Sequence, residues 1–198
     1  MIIDESRGPV IIDDTATVEP FTVLNGPLFI GNNTLVKSHS TISNTIINHD
    51  CKVSGEVHSC VFQPYSNKSH EGFLGHSFIG SWANLGAGTT TSNLKNNYSS
   101  IKVKWSGELV DTGSIFFGSI IGEHVKTAIG TNLNTGTVIE LGCNIVSQTF
   151  PPRHIPAFSL FYKNKVIKTK FEDFCDVAEK AMKRRKKELS SSAKSILN

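Results

Sequence analysis

The chain has 198 residues, 38% of them hydrophobic and 19% charged, with a net charge of +3. That length suits one domain with a small appendage. No stretch approaches the ~18 continuous apolar residues of a membrane span, and no apolar run follows a basic start as in a signal peptide, so a soluble chain with no membrane partner is expected.

The four cysteines, Cys51, Cys60, Cys143 and Cys175, form no CxxC pair. The usual zinc and redox spacings are therefore missing, no structural metal is predicted, and a reducing cytoplasmic setting is expected. The charge is uneven. Residues 1–162 carry 9 basic and 12 acidic side chains, whereas residues 163–198 carry 11 and 5. A basic tail of this kind meets an anionic partner or is a solvated helix end. The second reading is preferred, without nucleic acid.

From Ile12 every sixth residue is aliphatic: Ile12, Val18, Leu24, Ile30, Val36 and Ile42. Phe73, Ile79 and Leu85 keep the spacing, and Ile115, Ile121, Leu133, Ile139 and Ile145 resume it, with Thr127 as one miss. A period of six is neither helical nor a simple strand alternation. It predicts an all-β fold, a parallel β-helix of hexapeptides, three to a triangular coil. The aliphatic residue points inward, and the small residue after it avoids crowding the corner.

The pattern lapses over residues 47–72 and 92–114. The second lapse alternates around Ser106-Gly107, which predicts a hairpin inserted into the coil. Pro151, Pro152 and Pro156 predict the exit from the coil at 150 and a proline-rich connector over 151–168. Residues 169–198 read as a basic helix and tail. Thr169 and Glu172 are spaced as a capping box. Phe171, Phe174, Ala178, Ala181, Met182 and Leu189 form a helical stripe. The cations Lys183–Lys187 suit the helix C-terminal dipole, and the last nine residues look frayed.

Four blocks in order carry a resemblance: "YSNKSHEGFLGHSFIG" (65–80), "NLGAGTTTSNLKN" (84–96), "GEHVKTAIGTNLNTGTVI" (122–139) and "FPPRHIPAFS" (150–159). They resemble the acetyltransferase domain of the bifunctional glucosamine-1-phosphate N-acetyltransferase/UDP-N-acetylglucosamine pyrophosphorylase family. That resemblance implies a left-handed coil, a homotrimer with ligands in clefts between prisms, and acetyl-CoA as co-substrate. It implies acetyl transfer to an amino sugar phosphate, glucosamine 1-phosphate, in UDP-N-acetylglucosamine synthesis. The pyrophosphorylase half has no counterpart in these residues, which leaves two readings open: a stand-alone acetyltransferase, with a separate nucleotidyltransferase as a partner, or a part of a longer bifunctional chain.

The resemblance carries over residue by residue. His70 matches the family's general base, for which a pKa near neutrality suits proton transfer. Asn84 and Asn93 match asparagines that hold the acceptor sugar, where an amide both donates and accepts. Phe73 stands where better-known members have tyrosine. Ala87 matches a small residue whose backbone meets coenzyme A. Tyr65, Lys68 and Lys95 are candidates for the acceptor phosphate. Lys126 and Arg153 are candidates for the coenzyme A phosphates. Ile129 replaces a cofactor-binding serine. His76 replaces an acidic residue and reads equally as an orienting partner or a structural one.

Two rival functions share the fold. One is a non-catalytic sugar-nucleotide-binding or scaffolding protein, which the Phe73 and Ile129 departures favour. The other is a γ-carbonic-anhydrase-like metalloenzyme. That enzyme needs a histidine pair five residues apart, and His70 and His76 are six apart.

Overall fold

The computed structural model describes residues 1–197. The chain winds into a left-handed parallel β-helix whose strands stack in three rows. The first row holds Ile2–Asp4, the starts of Val23–Ile30 and Thr41–Ile47, then Glu56–His58 and Phe73–Gly75. Thr90–Thr91 and Asn132–Leu133 pair farther along the chain. The second row runs from Val10–Ile12 through Val61–Phe62, Phe78–Ile79, Ser119–Ile121 and Thr137–Ile139 to His154–Ile155. The third includes Lys52–Val53, Asn67–Lys68, Lys126–Thr127, Asn144–Val146 and Ser159–Tyr162.

Inward side chains form one continuous core. Leu24, Ile30, Val36, Ile42, Ile79, Ile121, Ile139 and Ile145 are all fully buried in it. Thr127, the miss in the period, also points inward. Its hydroxyl meets Thr89 Oγ1 at 2.8 Å and accepts from Gly86 N at 3.0 Å, which offsets the cost of burying it. Two residues of the periodic set depart from it. Leu74 is the buried residue of its rung and Phe73 faces outward, while Ile115 is exposed in the insertion.

The lapse over residues 47–72 is not an excursion. Thr41 pairs with Glu56, and Lys52 with Asn67, fifteen residues on. Shortened corners break the count of six while the rungs stay stacked. Small residues permit that stacking. A Cβ on Gly80 would lie 2.6 Å from Glu123 N of the next rung.

Corners demand left-handed backbone. Asn33, Asp50, Tyr65, Trp82, His124 and Phe158 all have positive φ and recur at the turn into the third row. Such a conformation costs roughly 1–2 kcal/mol for a residue with a Cβ. Aromatic stacking offsets part of it. Tyr65 and Trp82 are parallel with centroids 4.2 Å apart.

The insertion leaves after Thr90–Thr91 and returns at Ser119. Its hairpin pairs Lys102–Trp105 with Glu108–Asp111, and Ser106 and Gly107 both have positive φ, as a tight two-residue turn requires. Ile101 and Val103 fold back onto Val138 and Ile120.

The prolines do not end the coil. His154–Ile155 and Ser159–Tyr162 still pair with the rungs below, and Lys165–Lys168 adds an antiparallel strand. The proline segment replaces one first-row strand. Helix α1 spans Phe171–Lys183, and its N-cap is Lys170 with no side-chain cap bond. The capping box does not form: the N-cap falls one residue after Thr169, whose hydroxyl donates to Phe158 O at 2.8 Å. Phe174, Cys175 and Ala178 bury the apolar stripe against Leu141, Phe158 and Phe171. The tail is not frayed throughout: α2 covers Ser191–Leu197. Leu189 and Leu197 pack back on α1's cluster. No helix of the described residues is long and apolar enough to cross a membrane.

Ile79 sits mid-coil with no exposure. Ile79→Ala is expected to cost about 2–5 kcal/mol through lost burial and a residual cavity, read as a lowered urea midpoint with unchanged m-value.

Candidate functional site

Two clusters on the prism take up several of the residues that the sequence singles out. The first lies where the first row turns toward the second. A Cβ on Gly75 would sit 2.5 Å from Phe73 Cζ and 2.6 Å from Asn93 Nδ2. The absent side chain is what lets the Phe73 ring and the Asn93 amide meet. Asn93 Nδ2 donates to His76 Nδ1 at 2.8 Å, which leaves the proton of the neutral ring on Nε2. Burial, with the nearby His58 second, lowers the His76 pKa, so the ring stays a neutral acceptor. His58 faces His76 edge-on at 5.1 Å between centroids and is itself bonded to Ser43 at 2.8 Å. Its contact with Asn93 and its stacking on Phe116 at 5.3 Å are compatible with both roles left open for His76.

The second cluster lies on the third row. Lys52, Asn67, Asn84 and Lys126 occupy successive rungs in register. The C-terminal end of α1 lies over them, and Arg185 Nη2 donates to Asn67 Oδ1 at 3.1 Å. A cavity of about 360 Å³ remains, lined by these residues together with Arg184, Tyr65 and Trp82. Tyr65 and Asn84, candidates for contact with the acceptor, thus come together with Lys126, a candidate for coenzyme A. Lys126 is half-buried, and burial lowers its pKa. Its Nζ donates to His124 O at 3.1 Å.

His124 itself is only 4% exposed, and its Nδ1 has no partner among the described residues. It stacks on Trp82 at 6.0 Å and meets Phe174 edge-on at 5.4 Å. Burial, and then the charge of Lys126, pushes its pKa down to about 4.

The remaining candidates are scattered. His70 is exposed at the corner between the third and first rows. Lys68 points inward instead of toward a ligand. It is 1% exposed, and its Nζ donates to Ser54 O at 3.2 Å and His70 O at 2.7 Å. Burial lowers its pKa to about 8. An ammonium spent on two backbone carbonyls inside the prism is not placed to hold a phosphate. Lys95 is spent inside the insertion, donating to Ser100 O and Ser99 Oγ. Ala87 is half-buried between Gly86 and Gly88, and its carbonyl accepts from Gly130 N at 2.7 Å. Arg153 is exposed before a second-row strand, on a different row from Lys126. Among the described residues no three His, Cys, Asp or Glu side chains converge to hold a metal.

Sequence reasoning missed Lys52, Asn67, Arg184 and Arg185. The signal for the first two was their place, outward and one residue before an inward one, on the same row as Asn84 and Lys126. The arginines lay in a run already explained by the helix dipole.

No protein-family profile matches the sequence. A bifunctional sugar-1-phosphate nucleotidylyltransferase/acetyltransferase of Sulfurisphaera tokodaii is 32% identical over 139 residues, 67% of this chain and 34% of that protein. An uncharacterised acetyltransferase of Escherichia coli, YaiX, is 25% identical over 172 residues, 85% of this chain and 75% of that protein. The chain carries a hexapeptide-repeat acetyltransferase β-helix domain. It spans about a third of the length of the bifunctional relatives it matches. A solved Bacillus cereus structure named as an acetyltransferase aligns with a TM-score of 0.52 at 13% identity, over 99% of this chain and 96% of that one. That likeness is one of fold.

His124 yields a pH test. Its folded pKa lies below the ordinary 6.5, so the folded state favours the neutral ring. Stability from this source is complete above pH 6.5 and is lost as pH falls from there toward 4. His124→Phe keeps an aromatic ring in the stack and removes the titration. Between pH 7 and 4 the wild type is expected to lose ~3 kcal/mol more than the variant, measured by urea unfolding at both pH values.

Proposed function

We propose that the chain transfers the acetyl group of acetyl-CoA to the amine of an amino sugar phosphate, with glucosamine 1-phosphate as acceptor. The observation that carries this is the similarity to bifunctional nucleotidylyltransferase/acetyltransferases across 139–148 residues, which includes the block around His70. In this reading His70 takes the proton from the acceptor amine. The amine nitrogen attacks the thioester carbonyl carbon. The carbon–sulfur bond then breaks, the amide forms, and coenzyme A leaves as its thiol after gaining a proton. No acyl-enzyme intermediate is needed, and the buried cysteines suit that. The exposed position of His70 lets a substrate reach it. Asn93, oriented by His76, supplies an amide to a sugar hydroxyl beside Phe73. Ala87 lies where backbone must come close to coenzyme A.

A homotrimer belongs to the same reading. The outward residues of the second row include Ile11, Phe29, Ile46 and Phe78, each 38–54% exposed. An exposed apolar column of this kind suits burial against a second prism. The product would feed UDP-N-acetylglucosamine synthesis in the cytoplasm, with nucleotidyl transfer supplied by a separate enzyme or by a further part of the protein.

The test is turnover of acetyl-CoA with glucosamine 1-phosphate by wild type and His70→Ala. The variant is expected to lose roughly 10²–10⁴-fold in kcat with its thermal midpoint unchanged. Equal activity in the variant would remove His70 as the base. Binding of a sugar nucleotide by a wild type that turns over no acetyl-CoA would favour the non-catalytic reading that Phe73 and Ile129 support.

A further inference from the structure

We propose that the cavity between the end of α1 and the third row is a binding site for a diphosphate anion, free or as an ester. Four cations line it: Lys52 and Lys126 from the prism, Arg184 and Arg185 from the helix end. No acidic residue lines it. Among the described residues none of the four is ion-paired with a carboxylate. The helix dipole accounts for cations at the end of α1. It does not account for the lysines, which belong to strands far away in sequence and face the same space. Gathering four like charges is unfavourable unless something of opposite sign joins them.

The geometry favours two linked phosphates over one. Lys52 and Lys126 are three rungs apart, about 14 Å along the row at strand spacing. The amides of Asn67 and Asn84 fill the rungs between them. A row with cations at both ends and amides in the middle matches an elongated anion. Across from it, guanidinium groups offer planar pairs of donors suited to phosphate oxygens. Arg185 is already held by Asn67, so part of its ordering cost is met before a ligand arrives. The cavity, about 360 Å³, lies at the small end of the roughly 300–1,000 Å³ range of ligand pockets. Both faces of Trp82 are taken, by Tyr65 and His124. The recognised group is therefore the phosphates and not an aromatic base. This site does not depend on the transferase reading.

The test is calorimetric titration of the purified chain with inorganic pyrophosphate and, separately, inorganic phosphate at one ionic strength. Wild type is compared with Arg184→Ala/Arg185→Ala, with Lys52→Ala, and with Lys163→Ala as a remote control. Saturable pyrophosphate binding, at least tenfold tighter than phosphate, is expected. It should weaken tenfold or more in the double variant, severalfold in Lys52→Ala, and not in Lys163→Ala. Lys52 lies on the prism, so its variant reports on the site even if the double variant loosens α1. Competition by UDP or by coenzyme A supports the site and tells which ester fills it. No saturable binding by wild type, equal affinity for the two anions, or binding that survives both Lys52→Ala and the double variant overturns the proposal.

Discussion

Everything in this molecule depends on one repeated constraint: each rung must lie flat on the last, about 4.8 Å away, at all three corners. Inward aliphatics supply the driving force, and their rows make a single core from Leu24 to Phe161. Corners supply the cost, because the backbone there turns left-handed even at Tyr65, Trp82 and His124. The protein offsets that cost by stacking those side chains on one another. The same stack then gives α1 its landing place, through Phe174 against His124 and Phe158. Corner geometry thus decides where the helix lies, and the helix decides what covers the third row.

The coil was legible in the sequence because burial on one face of a hexapeptide repeats without regard to the rest of the chain. Leu24, Ile30, Val36 and Ile42 announce it by spacing alone. Its limits were not legible. The fifteen-residue coils around Cys51 and Cys60 lose the count of six while keeping the stacking, so a regular region looked broken. Pro151, Pro152 and Pro156 looked like an exit, yet a parallel strand of two residues needs few backbone donors, and His154–Ile155 fits between them. The spacing of Thr169 and Glu172 does not place the cap of α1, because the N–H and the hydroxyl of Thr169 are both tied to Phe158 O and the helix starts one residue later.

The candidate site was legible in part. Asn93 and Phe73 stand out by resemblance, and the structure adds the glycine beneath them and the histidine beside Asn93. Lys68 shows what motif position leaves out. A lysine inside a matched block reads as a ligand for phosphate, but alternation along its strand turns it inward. There its ammonium is satisfied by two carbonyls, and a buried charge must be so satisfied. Lys52 and Lys126 sit one residue before an inward position and face out. A shift of one residue in a strand thus separates a cation held inside the prism from one on its outer face. Arg184 and Arg185 could not be paired with those lysines from sequence, since only the docking of α1 brings the two ends together.

The transferase reading needs acetyl-CoA to bind before any acceptor is considered. The most direct measurement is calorimetric titration of acetyl-CoA into the purified chain without acceptor. Saturable binding with a fixed number of ligands per chain is the predicted result. The absence of any saturable heat at millimolar acetyl-CoA, from a protein whose unfolding remains cooperative, would contradict it.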